Sequence, residues 1–321
     1  MILLDGKLTS EKIKDEIKIE VQEIVKNGDR PPHLAAVLVG NDGASLTYVG
    51  SKVRSCERVG FKSTLIHLDE NISEEELISE IDKLNNNNKI DGYIVQLPLP
   101  KHINEEKILM MVKPEKDVDG FHPFNFGKMA QNMDSFIPAT PYGIIELIDR
   151  YSIETEGKNT VVIGRSNIVG RPMSILMSNK SKPGNSTVTL VHSRTPDISS
   201  FTKKADIVIV ALGIPNFLKS DMIKQDSVVI DVGITRVEDK TKVRGYRIVG
   251  DVDFESVKNK VSHITPVPGG VGPMTVCALI ENTIIAAERI NSAWEDSNFW
   301  PLASEANALS NWATGAKKDS N

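Results

Sequence analysis

The sequence predicts an α/β protein of two domains, each built on a parallel sheet. Three observations carry that expectation. Short, wholly apolar runs alternate with stretches of helical periodicity, and strict alternation of strand and helix means parallel strands joined by crossover helices. The pattern occurs twice, in residues 34–96 and again in 160–232, with a helical segment from Thr140 between them. At 321 residues, the chain also exceeds what one hydrophobic core usually organises.

Taken in order, Ile13, Ile17, Val21 and Val25 recur four apart and argue an amphipathic helix over 8–26, with Thr9 or Ser10 as its N-cap. Leu34–Gly40 is an apolar run ending in glycine, the signature of a buried strand. A helix over 44–59, a strand over 62–68, a helix over 73–85 and a strand over 90–96 follow. Thr140 supplies an N-cap and Pro141 a first helical residue for a helix running to Arg150. Strands are then expected at Thr160–Gly164, Val188–Val191, Ile207–Ala211 and Val228–Val232, and a last helix from Pro273 to Ile290. Beyond it, residues 291–321 hold all three tryptophans, Trp294, Trp300 and Trp312. That tail is expected to be poorly ordered and dispensable for catalysis.

Composition narrows the function. With 38 basic and 43 acidic residues the net charge is −5, which argues against a nonspecific nucleic-acid clamp or a polybasic membrane anchor. The two cysteines, Cys56 and Cys277, have no CxxC partner and no histidine at ligand spacing, so neither a disulfide framework nor a structural zinc site is expected. The start, Met1 to Lys7, has no basic leader, and no run approaches the roughly 18 consecutive apolar residues of a membrane helix. A reduced, cytoplasmic protein is the expectation.

The clearest local signal is Thr160–Pro172, where an apolar strand leads through Gly164-Arg165-Ser166 to Val169, Gly170 and a helix start. It resembles the dinucleotide-binding turn of a Rossmann-like sheet, spaced G-x-S-x-x-x-G, although a purely structural turn would read the same way. Gly164 permits the tight turn, and backbone N–H groups at the helix start suit a pyrophosphate. The next strand ends Val191-His192-Ser193-Arg194-Thr195 with no acid for a ribose hydroxyl. Arg165, Ser193 and Arg194 therefore form a candidate 2′-phosphate site, pointing to NADP over NAD; a solvated loop is the plain alternative.

In the first domain Tyr48 and Lys52 stand four apart beside an apolar stripe at Leu46, Val49, Val53 and Cys56. By spacing alone such a pair is usually a solvated face, and Cys56 is packing. Gln96 ends its strand against Leu97-Pro98-Leu99-Pro100, at the carboxyl end where open α/β sheets bind ligands. Pro114–Phe121 is a turn-forming acidic loop. Thr265–Thr275 packs three prolines and three glycines into eleven residues, a rigid stretch of bare backbone suited to a flat ligand.

Together, the Tyr48/Lys52 helix, Gln96-Leu97-Pro98-Leu99-Pro100, Lys116-Asp117-Val118-Asp119-Gly120, Gly164-Arg165-Ser166, Asp231-Val232-Gly233 and Pro266–Thr275 resemble, in order, the bifunctional methylenetetrahydrofolate dehydrogenase/methenyltetrahydrofolate cyclohydrolase family. The resemblance covers residues 1–290. It implies oxidation of 5,10-methylenetetrahydrofolate with NADP and hydrolysis of the methenyl product to 10-formyltetrahydrofolate, in one cleft between the domains. By the same resemblance, residues 1–140 with the helix 273–290 are the folate-binding catalytic domain and 141–272 the NADP-binding domain. Lys52 is then the general acid/base, Tyr48 stacks on the folate, Gln96 supports the lysine and Asp119 holds the pterin, with Leu97 beside them. On the cofactor side stand Gly164, Arg165, Ser166, Val169, Gly170, Ser193, Arg194 and Ile234. Pro268, Gly269, Gly272, Pro273 and Thr275 would meet folate and nicotinamide. The chemistry needs no metal, and the family suggests a homodimer. The synthetase domain of some members would not fit in this length. Two other readings stay open: a different two-domain dehydrogenase acting on a hydroxy or amino acid, and a non-catalytic folate- or nucleotide-binding protein.

Overall fold

The computed structural model describes residues 1–242 and 245–295; the tail expected to be disordered lies, from residue 296 on, outside the described residues. The chain begins with a short strand, β1 (Ile2–Leu3), and a helix, α1 (Gly6–Lys26). Asp5 caps α1, its Oδ1 accepting the Leu8 N–H at 2.8 Å, one turn ahead of the expected cap. The Thr9 and Ser10 hydroxyls instead donate back to the carbonyls of Asp5 and Lys7. Ile13, Ile17 and Val21 are buried as their spacing predicts, whereas Val25 is exposed near the helix end.

Two units follow from the contacts within the chain: residues 11–139 with the chain from Val276, and residues 1–10 with Thr140–Thr275. In the first, β2 (His33–Val39), α2 (Gly43–Val59), β3 (Lys62–Leu68), α3 (Glu74–Asn85) and β4 (Gly92–Val95) alternate, followed by two short helices, α4 (Glu105–Met111) and α5 (Pro123–Ala130). Every pairing in the sheet β3-β2-β4 is parallel. The central β2 is buried at six of seven positions, so it reads as a continuous apolar run, while the edge strand β3 alternates. A complete capping box at Ser73 and Glu76 starts α3. Val37, Leu77, Ile81, Tyr93 and Ile108 form the centre of this unit's core.

The second unit carries α6 (Ala139–Arg150), β5 (Asn159–Ile163), α7 (Gly170–Ser178), β6 (Thr187–Val191), α8 (Ile198–Thr202), β7 (Ile207–Val210) and β8 (Val228–Asp231). An antiparallel hairpin of β9 (Thr235–Glu238) and β10 (Tyr246–Val249) precedes α9 (Phe254–Val257), β11 (His263–Ile264) and α10 (Val271–Glu295). The six-stranded sheet runs β1-β11-β8-β7-β5-β6, parallel throughout. Strand order turns back at β5, between β6 and β7, and ligands of open α/β sheets bind outside the carboxyl ends at such a point.

Three boundaries differ from the sequence expectation. β1 pairs with β11, so the first ten residues belong with 140–275 and not with the unit that follows them. Thr140 lies inside α6 and its hydroxyl meets that of Thr275 at 3.1 Å, so it is not the cap. The last helix starts two residues before Pro273, which sits in its first turn, and extends through Glu295. Residues 271–289 of α10 are long and apolar enough to cross a bilayer by length and composition, but 78% of that window is buried within the protein, as in a core helix.

Candidate functional site

The buried face of α2 runs Ser45, Val49, Lys52, Cys56 and Val59, a spacing of four, three, four and three residues. Leu46 is 40% exposed, so the buried stripe is rotated from the one expected and takes in Lys52, which is only 6% exposed. An amine on a core-facing stripe needs partners. Lys52 Nζ donates to Gln96 Oε1 at 3.3 Å and lies 5.5 Å from the centroid of the Tyr48 ring. Gln96 Nε2 donates to the Leu97 carbonyl at 2.7 Å, which turns the amide oxygen toward the lysine. Burial pulls the Lys52 pKa below its ordinary value, against the pull of Asp119; burial pushes the Asp119 carboxyl up, against the pull of Lys52. The amine is thus held with one weak hydrogen bond and brought toward neutrality. Cys56, on the same stripe, has its thiol pushed up to about 12 by burial and acts as packing.

The loop bearing Asp119 is anchored by residues that do not face the lysine. Lys116 Nζ donates to the carbonyls of Leu84 and Asn87 at 2.9 and 2.8 Å, closing the end of α3. Asp117 accepts from the Phe121 and His122 N–H groups and from Asn125 Nδ2, at 3.1, 2.8 and 2.9 Å. Burial still pushes its carboxyl up to about 7. Asn282 on α10 donates to the carbonyls of Val118 and Ile137 at 2.8 and 2.9 Å. Gly120 is required where it stands: its φ is +71°, and a Cβ would lie 2.6 Å from the Pro138 nitrogen. Sequence reasoning missed Asp117 and Asn282 as anchors. The polar run Glu281-Asn282-Thr283 within a largely apolar helix was the available signal for Asn282.

In the other unit, β5, β6, β7 and β8 are parallel, so the loops that follow them emerge at one end of the sheet. Ile163 pairs with Val191, which places Arg165-Ser166 and Ser193-Arg194 on adjacent strand ends, all four residues exposed. The turn itself is backbone packed on backbone: a Cβ on Gly164 would lie 2.1 Å from the Ala211 carbonyl oxygen, and one on Gly170 2.0 Å from that of Gly164. Ser166 Oγ accepts from the Val169 and Gly170 N–H groups at 3.2 and 3.4 Å, capping the start of α7, and the Val169 side chain is buried. Ile234 is 51% exposed. A Cβ on Gly272 would sit 3.4 Å from its Cδ1, so the Ile234 loop reaches the first turn of α10 beside Pro273. Pro268 is exposed, Gly269 accepts from the Lys7 N–H at 2.8 Å, and Thr275 is buried against Thr140. A bare turn, two exposed guanidinium groups and no carboxylate between Val191 and Thr195 fit a dinucleotide bearing a 2′-phosphate. Among the described residues no three His, Cys, Asp or Glu side chains group as metal ligands.

Comparison with known proteins agrees with both halves. The family described as tetrahydrofolate dehydrogenase/cyclohydrolase, catalytic domain, matches residues 4–119, and its NAD(P)-binding domain matches 138–291. The chain is 66% identical over 286 residues to the bifunctional protein FolD of Flavobacterium johnsoniae, covering 89% of this chain and 97% of that one. A crystal structure of the bifunctional FolD of Campylobacter jejuni superposes with a TM-score of 0.84 at 48% identity, covering 90% and 99% of the two chains. That of the Trypanosoma brucei methylenetetrahydrofolate dehydrogenase-cyclohydrolase, complexed with NADP and an inhibitor, gives 0.85 at 37%, covering 90% and 98%. With a buried lysine on one unit, a dinucleotide turn on the other and matches across both, the chain belongs to the tetrahydrofolate dehydrogenase/cyclohydrolase family.

Proposed function

We propose that this chain oxidises 5,10-methylenetetrahydrofolate to the 5,10-methenyl cation with NADP and hydrolyses that cation to 10-formyltetrahydrofolate. The observation that carries the reading is Lys52: a buried amine, oriented by Gln96, beside Tyr48 and coupled to Asp119. When bound, NADP supplies the hydride acceptor. The hydride leaves the methylene carbon under the push of the adjacent nitrogen lone pairs, and no protein base is needed for that bond to break. Hydrolysis does need one. Water loses a proton as it attacks the methenyl carbon; the adduct then opens as its hydroxyl proton leaves and N5 gains one, for a net release of one proton. Lys52 Nζ, drawn toward neutrality by burial, takes and returns these protons.

Asp119 suits the aminopyrimidinone edge of the pterin because a carboxylate accepts two parallel N–H bonds. Tyr48 offers a ring face to stack on the substrate, with Leu97 beside Gln96. Gly164, Ser166, Val169 and Gly170 form the turn for the pyrophosphate, Arg165, Ser193 and Arg194 take the 2′-phosphate, and Ile234 borders the nicotinamide. Pro268, Gly269, Gly272, Pro273 and Thr275 complete the binding backbone. The reading includes a homodimer in the cytoplasm, which sedimentation and cell fractionation test. The central experiment is spectrophotometric: purified protein given methylenetetrahydrofolate and NADP forms NADPH, and the methenyl chromophore then decays to the formyl product. No turnover of either folate would overturn the proposal.

A further inference from the structure

Two carboxylates, Asp231 and Asp251, are 3% and 0% exposed at the same sheet end as the NADP turn, and the chemistry above uses neither. They interlock three loops. Asp231 Oδ1 accepts from the Gly233 and Asp251 N–H groups, each at 2.9 Å, and its Oδ2 accepts from Val252 at 2.9 Å. Asp251 Oδ2 in turn accepts from the Leu212 and Gly213 N–H groups, at 2.6 and 2.9 Å, where the chain leaves β7. Both ends of the β9–β10 hairpin are therefore tied, Gly233 at one and Asp251 at the other, and Ile234 stands at that base. The approach is too close for any side chain: a Cβ on Gly233 would lie 2.3 Å from the Asp251 carboxyl, and one on Gly250 1.9 Å from Asp231 Oδ2.

The arrangement has a cost. Asp251 Oδ1 is buried with no hydrogen-bond partner, and a buried acceptor left unsatisfied lowers stability. An amide oxygen could accept the same two N–H groups, but without the charge and with a buried NH2 in place of the bare oxygen. A carboxylate serves the two N–H groups of Leu212 and Gly213 at one oxygen with charge-assisted strength, which ties that loop to the hairpin base where Asp251 stands.

We propose that Asp251 is a positioning residue for NADP: by clamping Leu212-Gly213 to the base of the hairpin, it presets the loop that carries Ile234 before the dinucleotide arrives. The inference rests on the assignment of this sheet end to NADP. It predicts a loss in one half-reaction only, because hydrolysis of the methenyl substrate uses no dinucleotide.

The test uses the full chain and the variants Asp251→Ala and Asp251→Asn. NADP binding is measured by calorimetry, amide exchange of residues 211–214 is followed without NADP, and each half-reaction is assayed separately. With Asp251→Ala, NADP binding weakens about tenfold or more, the worth of a lost bond to a charged group, and exchange at Leu212 and Gly213 accelerates. Methenyl hydrolysis stays within about twofold of the parent, a change of under 0.5 kcal/mol in barrier. Asp251→Asn keeps an acceptor oxygen without the charge and falls between the two in affinity and in exchange. If Asp251→Ala does not fold, the same exchange and affinity readings on Asp251→Asn decide. Unchanged NADP affinity overturns the proposal, as does a loss of hydrolysis parallel to the loss of NADP binding, which would mark Asp251 as merely structural. Absence of NADP binding by the parent protein would instead overturn the cofactor assignment itself.

Discussion

The two units bury charge for opposite ends. In residues 11–139 the buried amine of Lys52 donates one hydrogen bond, to Gln96 at 3.3 Å, and burial drives it toward its neutral form. In residues 140–275 the buried carboxylate of Asp231 is held by three backbone N–H groups, while the polar residues assigned to the cofactor are exposed on loops. The difference teaches a criterion. A buried charge saturated by backbone donors is scaffold, because its hydrogen bonds fix loops in place. A buried charge left with a single long bond is free to exchange a proton with a substrate. Asp117 and Asp119, two residues apart, fall on either side of the same line: the first accepts three hydrogen bonds, and the second is pushed up by burial against the opposing pull of Lys52.

Removing the poised amine is the strongest way to break the comparison. Lys52→Met keeps the stem and its packing, so the hydrolysis of methenyltetrahydrofolate is expected to fall by about 10² to 10⁴-fold, the usual worth of a placed acid/base. Dehydrogenase activity persists at a reduced but measurable level, since its bond breaking needs no base. Separate assays from methylene and from methenyl substrate read the two effects, and full hydrolysis by the variant would put Lys52 among the scaffold residues.

A scaffold carboxylate shows itself in stability instead. The Asp117 carboxyl is raised from its ordinary 3.8 to about 7, so between those values the folded state binds a proton that the unfolded state has lost. Its contribution to stability therefore declines as pH rises through that window, by at most about 1.4 kcal/mol per pH unit. Asp117→Asn has no such proton, so denaturant unfolding at a series of pH values should give a shallower decline in the variant. Equal slopes would mean that the Asp117 carboxyl does not hold its proton in the folded protein.

The exposed cofactor loops answer to a smaller change. Arg165→Ala is expected to weaken NADP by about one to two decades, the worth of a direct charge-assisted contact, and NAD much less. Equal losses for the two dinucleotides, measured by steady-state titration, would assign Arg165 to something other than the 2′-phosphate. The smallest effect is expected beyond Glu295. Truncation after Glu295, where the described helix α10 ends, leaves both half-reactions unchanged, and a loss of either would give the residues beyond it a part in the fold.

The alternation of strand and helix, and with it two parallel sheets, was legible in the sequence because each element writes its own period locally: the continuous apolar run of β2, the four-residue recurrence of Ile13, Ile17 and Val21, the glycine turn at Gly164. Lys52, Tyr48, Gln96 and Asp119 were legible as candidates through the resemblance of their motifs to the family, since spacing alone reads the Tyr48/Lys52 pair as a solvated face. Pairing across the chain was not. Nothing in Ile2–Leu3 says that its partner is His263–Ile264, since a two-residue strand has no period and its place is decided by the edge it completes. The hairpin β9–β10 and the helices α4 and α5 are likewise short, and distant neighbours decide them. On α2 the sequence placed the inward stripe at Leu46, Val49, Val53 and Cys56, whereas the packing turns the helix to admit Lys52 and leave Leu46 exposed. The clamp of Asp231 on Asp251, twenty residues away, and the reach of Asn282 to Val118 exist only in three dimensions. Hydrogen bonds to backbone carry no residue signature at the partner, so only the tertiary structure could decide which acids hold the fold and which are left to react.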